Sequence, residues 1–240
     1  MTDHSAEASA GLEARMAGFL YLLNIAAGAF IYGFVRSTTI APGDASATAT
    51  NILQHPLLYR LGFLAGILPV LCNVPLALIF YDLFKVVNRS LSALVAFFIL
   101  VATAIESANL LNYYAPLILL EGVDPSAFRP EQLYAFAYMS LALHAIGFNL
   151  AVVFFAFYDL LIGYLVFRSG FLPRILGVLM VVAGSCYLTS SFASFLSPRF
   201  AAHLLPYILV PPGVGELALC LWLLVMGIDV ENWSKQAYPA

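Results

Sequence analysis

The sequence predicts an all-α polytopic membrane protein, a bundle of about six transmembrane helices with a short surface helix after the first. Three observations carry the prediction. Of the 240 residues, 62% are hydrophobic and 10% are charged, against roughly 25% charged in a soluble domain. The mean hydropathy is +0.94, and surface-to-volume scaling leaves no soluble core of this length able to hide so much apolar surface. The apolar residues also fall in long runs that match a hydrocarbon core of roughly 30 Å.

Taken in order, residues 1–14 form a polar, acidic tail without a basic stretch ahead of an apolar one, which argues against a cleavable signal peptide. A single transmembrane helical domain then occupies 15–230, and 231–240 forms a second polar tail. The first span covers about 14–35, between Arg15 and Arg36. Pro42-Gly43-Asp44 is a turn, and Asp44 is placed to cap a short, Ala-rich surface helix over 45–54. The second span covers 60–83 and closes at Lys85 and Arg89. The third, about 90–119, is longer than the hydrocarbon needs. An acidic, proline-punctuated loop follows over 121–131. From 133 to 167 the sequence stays apolar for about 35 residues, or some 50 Å of helix. The spanning part is expected at 147–167, with 133–146 standing out or kinking. Arg168 to Arg174 is a tight turn, the fifth span covers 175–195, and 197–206 connects to a sixth that opens at Pro211-Pro212-Gly213 and ends near Asp229.

Charge sets the topology. Arg15, Lys85, Arg89, Arg168, Arg174 and Lys235 fall on one side, and Arg36, Arg60, Arg129 and Arg199 on the other. Basic residues concentrate in cytoplasmic loops and acidic ones contribute little, so the excess of six over four places both termini in the cytoplasm. The net charge of −3 comes with no basic run, which leaves nucleic-acid binding without an electrostatic footprint. Cys72, Cys186 and Cys220 follow no metal or redox spacing and read as small packing residues. No cofactor is expected. The expected partner is the bilayer, with a lipid-like or small-molecule ligand as a further one.

Ionisable side chains inside a span cost about 2.5–3.5 kcal/mol on insertion scales and are functional-site candidates by default. Glu106, Asn109 and Asn112 recur every three residues in the third span and share one helix face, which must look into the bundle. They form either interhelical hydrogen bonds or a pocket. His144 lies at the outer end of the fourth helix, at a depth close to Asn112. Tyr187 and Ser190 share a face of the fifth span. Glu216 stands in the sixth; behind Pro211 or Pro212 it lies in the opening turns, where the helix dipole favours an acid. Asn24 and Asn73 read as structural amides. Asp82 and Asp159 read as anchors able to pair with Lys85, Arg89, Arg168 or Arg174. They sit in an echo, Phe80-Tyr81-Asp82-Leu83 and Phe157-Tyr158-Asp159-Leu160, too short to establish a repeat.

Glu106, Asn109, Asn112, His144, Tyr187 and Glu216 all fall between the bilayer middle and the outer face, which predicts a polar cavity there. Three function classes follow. One is a pocket for a small or lipid-like ligand, with Asn109, Asn112, Tyr187 and Ser190 as lining. Another is an intramembrane enzyme on a lipid or isoprenoid, with Glu106 or Glu216 as acid or base and His144 as partner. The last is a structural or regulatory subunit of a larger complex. No His-x-x-His or Glu-x-x-His spacing points to a metal.

The segments Leu20-Tyr21-Leu22-Leu23, Pro42-Gly43-Asp44-Ala45, Thr50-Asn51-Ile52, Val87-Asn88-Arg89, Arg168 to Gly177, Gly215-Glu216-Leu217 and Leu221-Trp222-Leu223-Leu224 resemble bacterial domain-of-unknown-function family 4386. The likeness covers nearly the whole chain, and the Arg-Ser-Gly turn is its most specific part. The resemblance implies a multispan protein of the bacterial inner membrane and implies no activity. Asn73 stands where an aspartate is expected in relatives.

Overall fold

The computed structural model describes residues 3–122 and 128–238, with side chains from residue 8 onward. The polar loop containing Asp124, the first residues of the N-terminal tail and the last two of the C-terminal one lie outside the described residues.

Among the described residues every regular element is a helix. Helix α1 (Asp3–Phe30) runs on through one wider π-turn segment, Ile31–Val35, and a closing turn, Arg36–Thr39. Helix α2 (Ala45–Gln54) is the expected surface helix, and the Asp44 carboxylate accepts from the Ala47 N–H at 2.8 Å. Helices α3 (Pro56–Phe84) and α4 (Arg89–Glu121) follow, then α5 (Pro130–Ser169), α6 (Arg174–Leu196), α7 (Pro198–Leu204), α8 (Val210–Val225) and α9 (Val230–Ala237). Six of these segments are long and apolar enough to cross a membrane. Their outward faces carry large apolar side chains, among them Phe19, Leu71, Phe97 and Leu111, which lipid and not water must cover.

The α3–α4 corner shows how the chain reverses inside an otherwise helical run. Asn88 leaves helical geometry at φ −159°, ψ 108°, and its side-chain oxygen accepts from the Leu91 N–H. It thereby caps α4 as it breaks α3. Ser92 then donates back to the Tyr81 carbonyl at 2.8 Å. Of the two expectations for 133–146, standing out or kinking, the kink is not found. Helix α5 is continuous over 40 residues, about 60 Å at 1.5 Å per residue. Its Leu133–Ile146 stretch lacks any breaker, so nothing interrupts the backbone ladder.

Two helices were not expected. Helix α7 lies within the connection before the sixth span. Helix α9 follows Gly227, whose φ of +71° ends α8, and Asp229, whose carboxylate caps α9 at the Asn232 N–H. Helix α9 is docked and does not form a loose tail. The Trp233 Nε1–H donates to the Leu83 carbonyl at 3.0 Å, and the Asp229 N–H donates to the Phe171 carbonyl at 3.0 Å. On its outer face Glu231 accepts from Lys235, which holds that ammonium above its ordinary range.

The chain divides into two compact units. Unit 1 comprises Met1–Leu22, Cys72–Thr103 and Asn149–Ala240, and unit 2 comprises Leu23–Leu71 and Ala104–Phe148. In unit 1, α5 and α6 pack backbone to backbone along small residues. A Cβ on Gly177 would come within 2.5 Å of the Gly163 carbonyl, and one on Gly184 within 2.6 Å of the Ala156 carbonyl. This is how helices close in lipid, where small residues at the seam let van der Waals contact replace the missing hydrophobic drive. Unit 2 has an aromatic core instead. Tyr59 stacks on Tyr113 at 4.6 Å, donates to the Tyr113 carbonyl at 2.6 Å, and packs with Ile52, Leu117 and Leu141. Arg60 and Glu121 pair at 2.5 Å at its edge, and Tyr138 accepts from the Gly43 N–H at 2.7 Å.

Candidate functional site

The polar residues singled out from the sequence fall in both units. Glu106, Asn109, Asn112 and His144 belong to unit 2, and Tyr187, Ser190 and Glu216 to unit 1.

In unit 2 the three-residue spacing on α4 does put Glu106, Asn109 and Asn112 on one face, and Asn109 on that face meets α5. Asn109 and His144 form a reciprocal clasp. The Asn109 Nδ2–H donates to the His144 carbonyl at 2.8 Å, and His144 Nδ1 donates to the Asn109 carbonyl at 3.1 Å. A carbonyl can only accept, so Nδ1 carries the proton and Nε2 of the neutral ring is an acceptor. Asn112 adds a third bond, its Nδ2–H to the Asn109 Oδ1 at 3.1 Å. Close approach at Gly147 makes this possible. A Cβ there would collide with the Asn109 side-chain amide, so glycine is what lets the amide reach the α5 backbone. The Tyr113 ring packs edge-on to the His144 ring at 5.3 Å. Asn109 is thus interhelical glue, whereas Glu106 and Asn112 are only half-buried. Tyr32, one turn before Arg36 on the first span, lies within electrostatic reach of Glu106.

In unit 1, Glu216 is the seventh residue of α8. It stands past the first turn, so the helix dipole that would excuse an acid there has largely decayed. Its carboxyl accepts from the Tyr187 hydroxyl instead. Ser190 is buried, and its carbonyl accepts from Ser194.

The largest departure from the sequence reading is Asp159. Expected as an anchor paired with a base, it is fully buried, and neither carboxyl oxygen has a hydrogen-bond partner among the described residues. Glu216 acts on it electrostatically, and Asp159 acts in turn on Tyr21 and Tyr158. Those two hydroxyls approach one another without closing a hydrogen bond, and both are buried. Asp82, the matching residue of the sequence echo, behaves as expected. It is half-exposed and pairs with Lys85 at 2.5 Å. The echo therefore does not repeat an environment. Asn24 and Asn73 both engage neighbours, in keeping with structural roles.

Six apolar spans with polar side chains turned toward one another define a multi-pass membrane protein. The chain belongs to the family described as Domain of unknown function (DUF4386), whose profile matches residues 16–227. It is also similar to an uncharacterized protein of Archaeoglobus fulgidus, 26% identical over 158 residues that cover 66% of this chain and 78% of that one. No solved structure matches.

Proposed function

We propose that this protein binds a small or lipid-like ligand at the polar stripe of α4, with Glu106 as the principal contact and Asn112 and the His144 Nε2 beside it. The observation that carries this reading is the incomplete cover over Glu106 and Asn112, both half-buried on a largely apolar helix. Lipid tails offer a carboxyl or an amide nothing, and for an ionisable group the penalty runs to about 2.5–3.5 kcal/mol. A headgroup or the polar end of an amphiphile supplies the missing partners. The Asn109–His144 clasp fixes α4 against α5 and gives such a ligand a rigid wall. Tyr187 serves Glu216 and Ser190 is buried, so neither is among the proposed contacts. The membrane proposed is the bacterial inner membrane with both termini cytoplasmic, supported by the six-to-four bias of basic residues and by the family resemblance.

The test is to purify the protein in native lipid and identify co-purified molecules by mass spectrometry. A species enriched over bulk lipid in the wild type, and depleted in Glu106→Gln and Asn112→Leu, supports the reading. Identical profiles for all three proteins, or no enriched species, would sink it and shift weight to a subunit of a larger complex.

A further inference from the structure

We propose that Asp159 and Glu216 form a proton-binding site inside unit 1, lined by the hydroxyls of Tyr21, Tyr158 and Tyr187. The proposal is independent of the ligand stripe on α4, since none of its residues belongs to that cluster.

A bare carboxylate with no donor, removed from water, is among the most expensive arrangements a fold can hold. Asp159 is fully buried with both oxygens unbonded among the described residues. Something positive must complete it: a basic side chain, a cation or a proton.

The elements packed around it bring acids, hydroxyls and apolar rings. Helix α1 brings Tyr21, α5 itself Tyr158, α6 brings Gly184 and Tyr187, and α8 brings Glu216. Helix α3 adds the Phe80 ring stacked on Tyr158 at 6.0 Å, and α4 adds Phe98 stacked on Phe157 at 5.3 Å. None of these is basic. The charged neighbour that acts on Asp159 is Glu216, a second acid, which makes a bare anion less tolerable still.

A metal ion fits poorly, because the described residues hold no group of three or more His, Cys, Asp or Glu able to coordinate one. An organic cation fits no better. A Cβ on Gly184 would stand 3.0 Å from the Asp159 Cβ, so α5 and α6 close on each other there, and Asp159 itself is 0% exposed. A proton needs no volume. Two carboxyls in electrostatic contact take up and release protons as a unit. The unbonded Tyr21 and Tyr158 hydroxyls, each able to donate and accept, stand where a proton on the pair would be shared. Tyr187, bonded to Glu216, extends the set to α6.

Infrared spectroscopy of the purified protein in nanodiscs, in H₂O and D₂O across neutral pH, reads the site directly. The expected result is a protonated-carboxyl C=O band in the wild type that shifts on deuteration and is lost in Asp159→Asn. Glu216→Gln and Tyr21→Phe should each move or weaken it. The last two carry the readout if Asp159→Asn does not fold. A spectrum with ionised carboxylates alone overturns the proposal, as does a band that neither Glu216→Gln nor Tyr21→Phe alters. A band that appears only when sodium and potassium are withdrawn also overturns it, and makes the pair a cation site.

Discussion

Asn109 and His144 each spend a side chain on the other's backbone, so truncating either one deletes its own bond and leaves the other's carbonyl short of a donor, while the partner's bond to its backbone remains. Interhelical hydrogen bonds in membranes are worth roughly 0.6 kcal/mol on average and up to about 1.7. We expect Asn109→Ala and His144→Ala each to lower the stability of the detergent-solubilised protein by about 1–2 kcal/mol. The double variant should cost close to the sum of the two singles, because each substitution removes a different bond. Chemical unfolding followed by circular dichroism measures this, and a double variant no worse than the worse single one would show that neither bond holds without the other. Tyr59→Phe removes the hydroxyl from a buried hydrogen bond but keeps the ring stack, so a loss of about 1 kcal/mol is expected by the same assay. At this scale the α4 stripe was legible, because three-residue spacing on a helix fixes a shared face whatever surrounds it. Asp159 was not. Its environment is made by Tyr21 and Glu216, distant in sequence on both sides, and an aspartate near the end of a span looks the same whether it turns to a lysine or to another acid.

Helix pairs respond differently from single contacts. The α5–α6 seam tolerates no added atom at Gly177, where a Cβ would meet both the Gly163 carbonyl and the Phe167 N–H nitrogen, the latter at 2.7 Å. Gly177→Leu should therefore separate the two helices. Its cost is expected to reach or exceed the roughly 1–3 kcal/mol of ordinary overpacking, because backbone and not a flexible side chain must yield. A melting profile of the variant unchanged from wild type would show that the seam is looser than drawn. Helix α9 offers a gentler probe. Trp233→Phe keeps an aromatic plug but deletes the donor to the Leu83 carbonyl, and faster hydrogen exchange confined to the α9 amides is the expected readout. The α9 signals were present in the sequence. Gly227 and Asp229 are a helix stop and a helix start two residues apart, but they stood in a stretch read as the end of a span and a tail.

For the molecule as a whole, the charge asymmetry of the loops makes a prediction independent of any site. A fluorescent reporter that matures only in the cytoplasm, fused after Ala240, should be active, and an enzymatic reporter that needs export should be silent there. The reverse pattern would invert the proposed topology while leaving every contact described above intact. Span number and approximate limits were settled by the sequence alone, because hydropathy and length belong to contiguous segments and the bilayer tests each segment separately. Which polar groups meet was decided only by the tertiary structure. Rotation and close approach of helices depend on residues far apart in the chain, such as Gly147 opposite Asn109 and Gly184 opposite Asp159. The six-span bundle read from composition therefore stands. Within it, the polar residues singled out from the sequence resolve into an Asn109–His144 clasp beside Glu106 and a Tyr187–Glu216 pair facing an aspartate that the sequence had placed among the anchors.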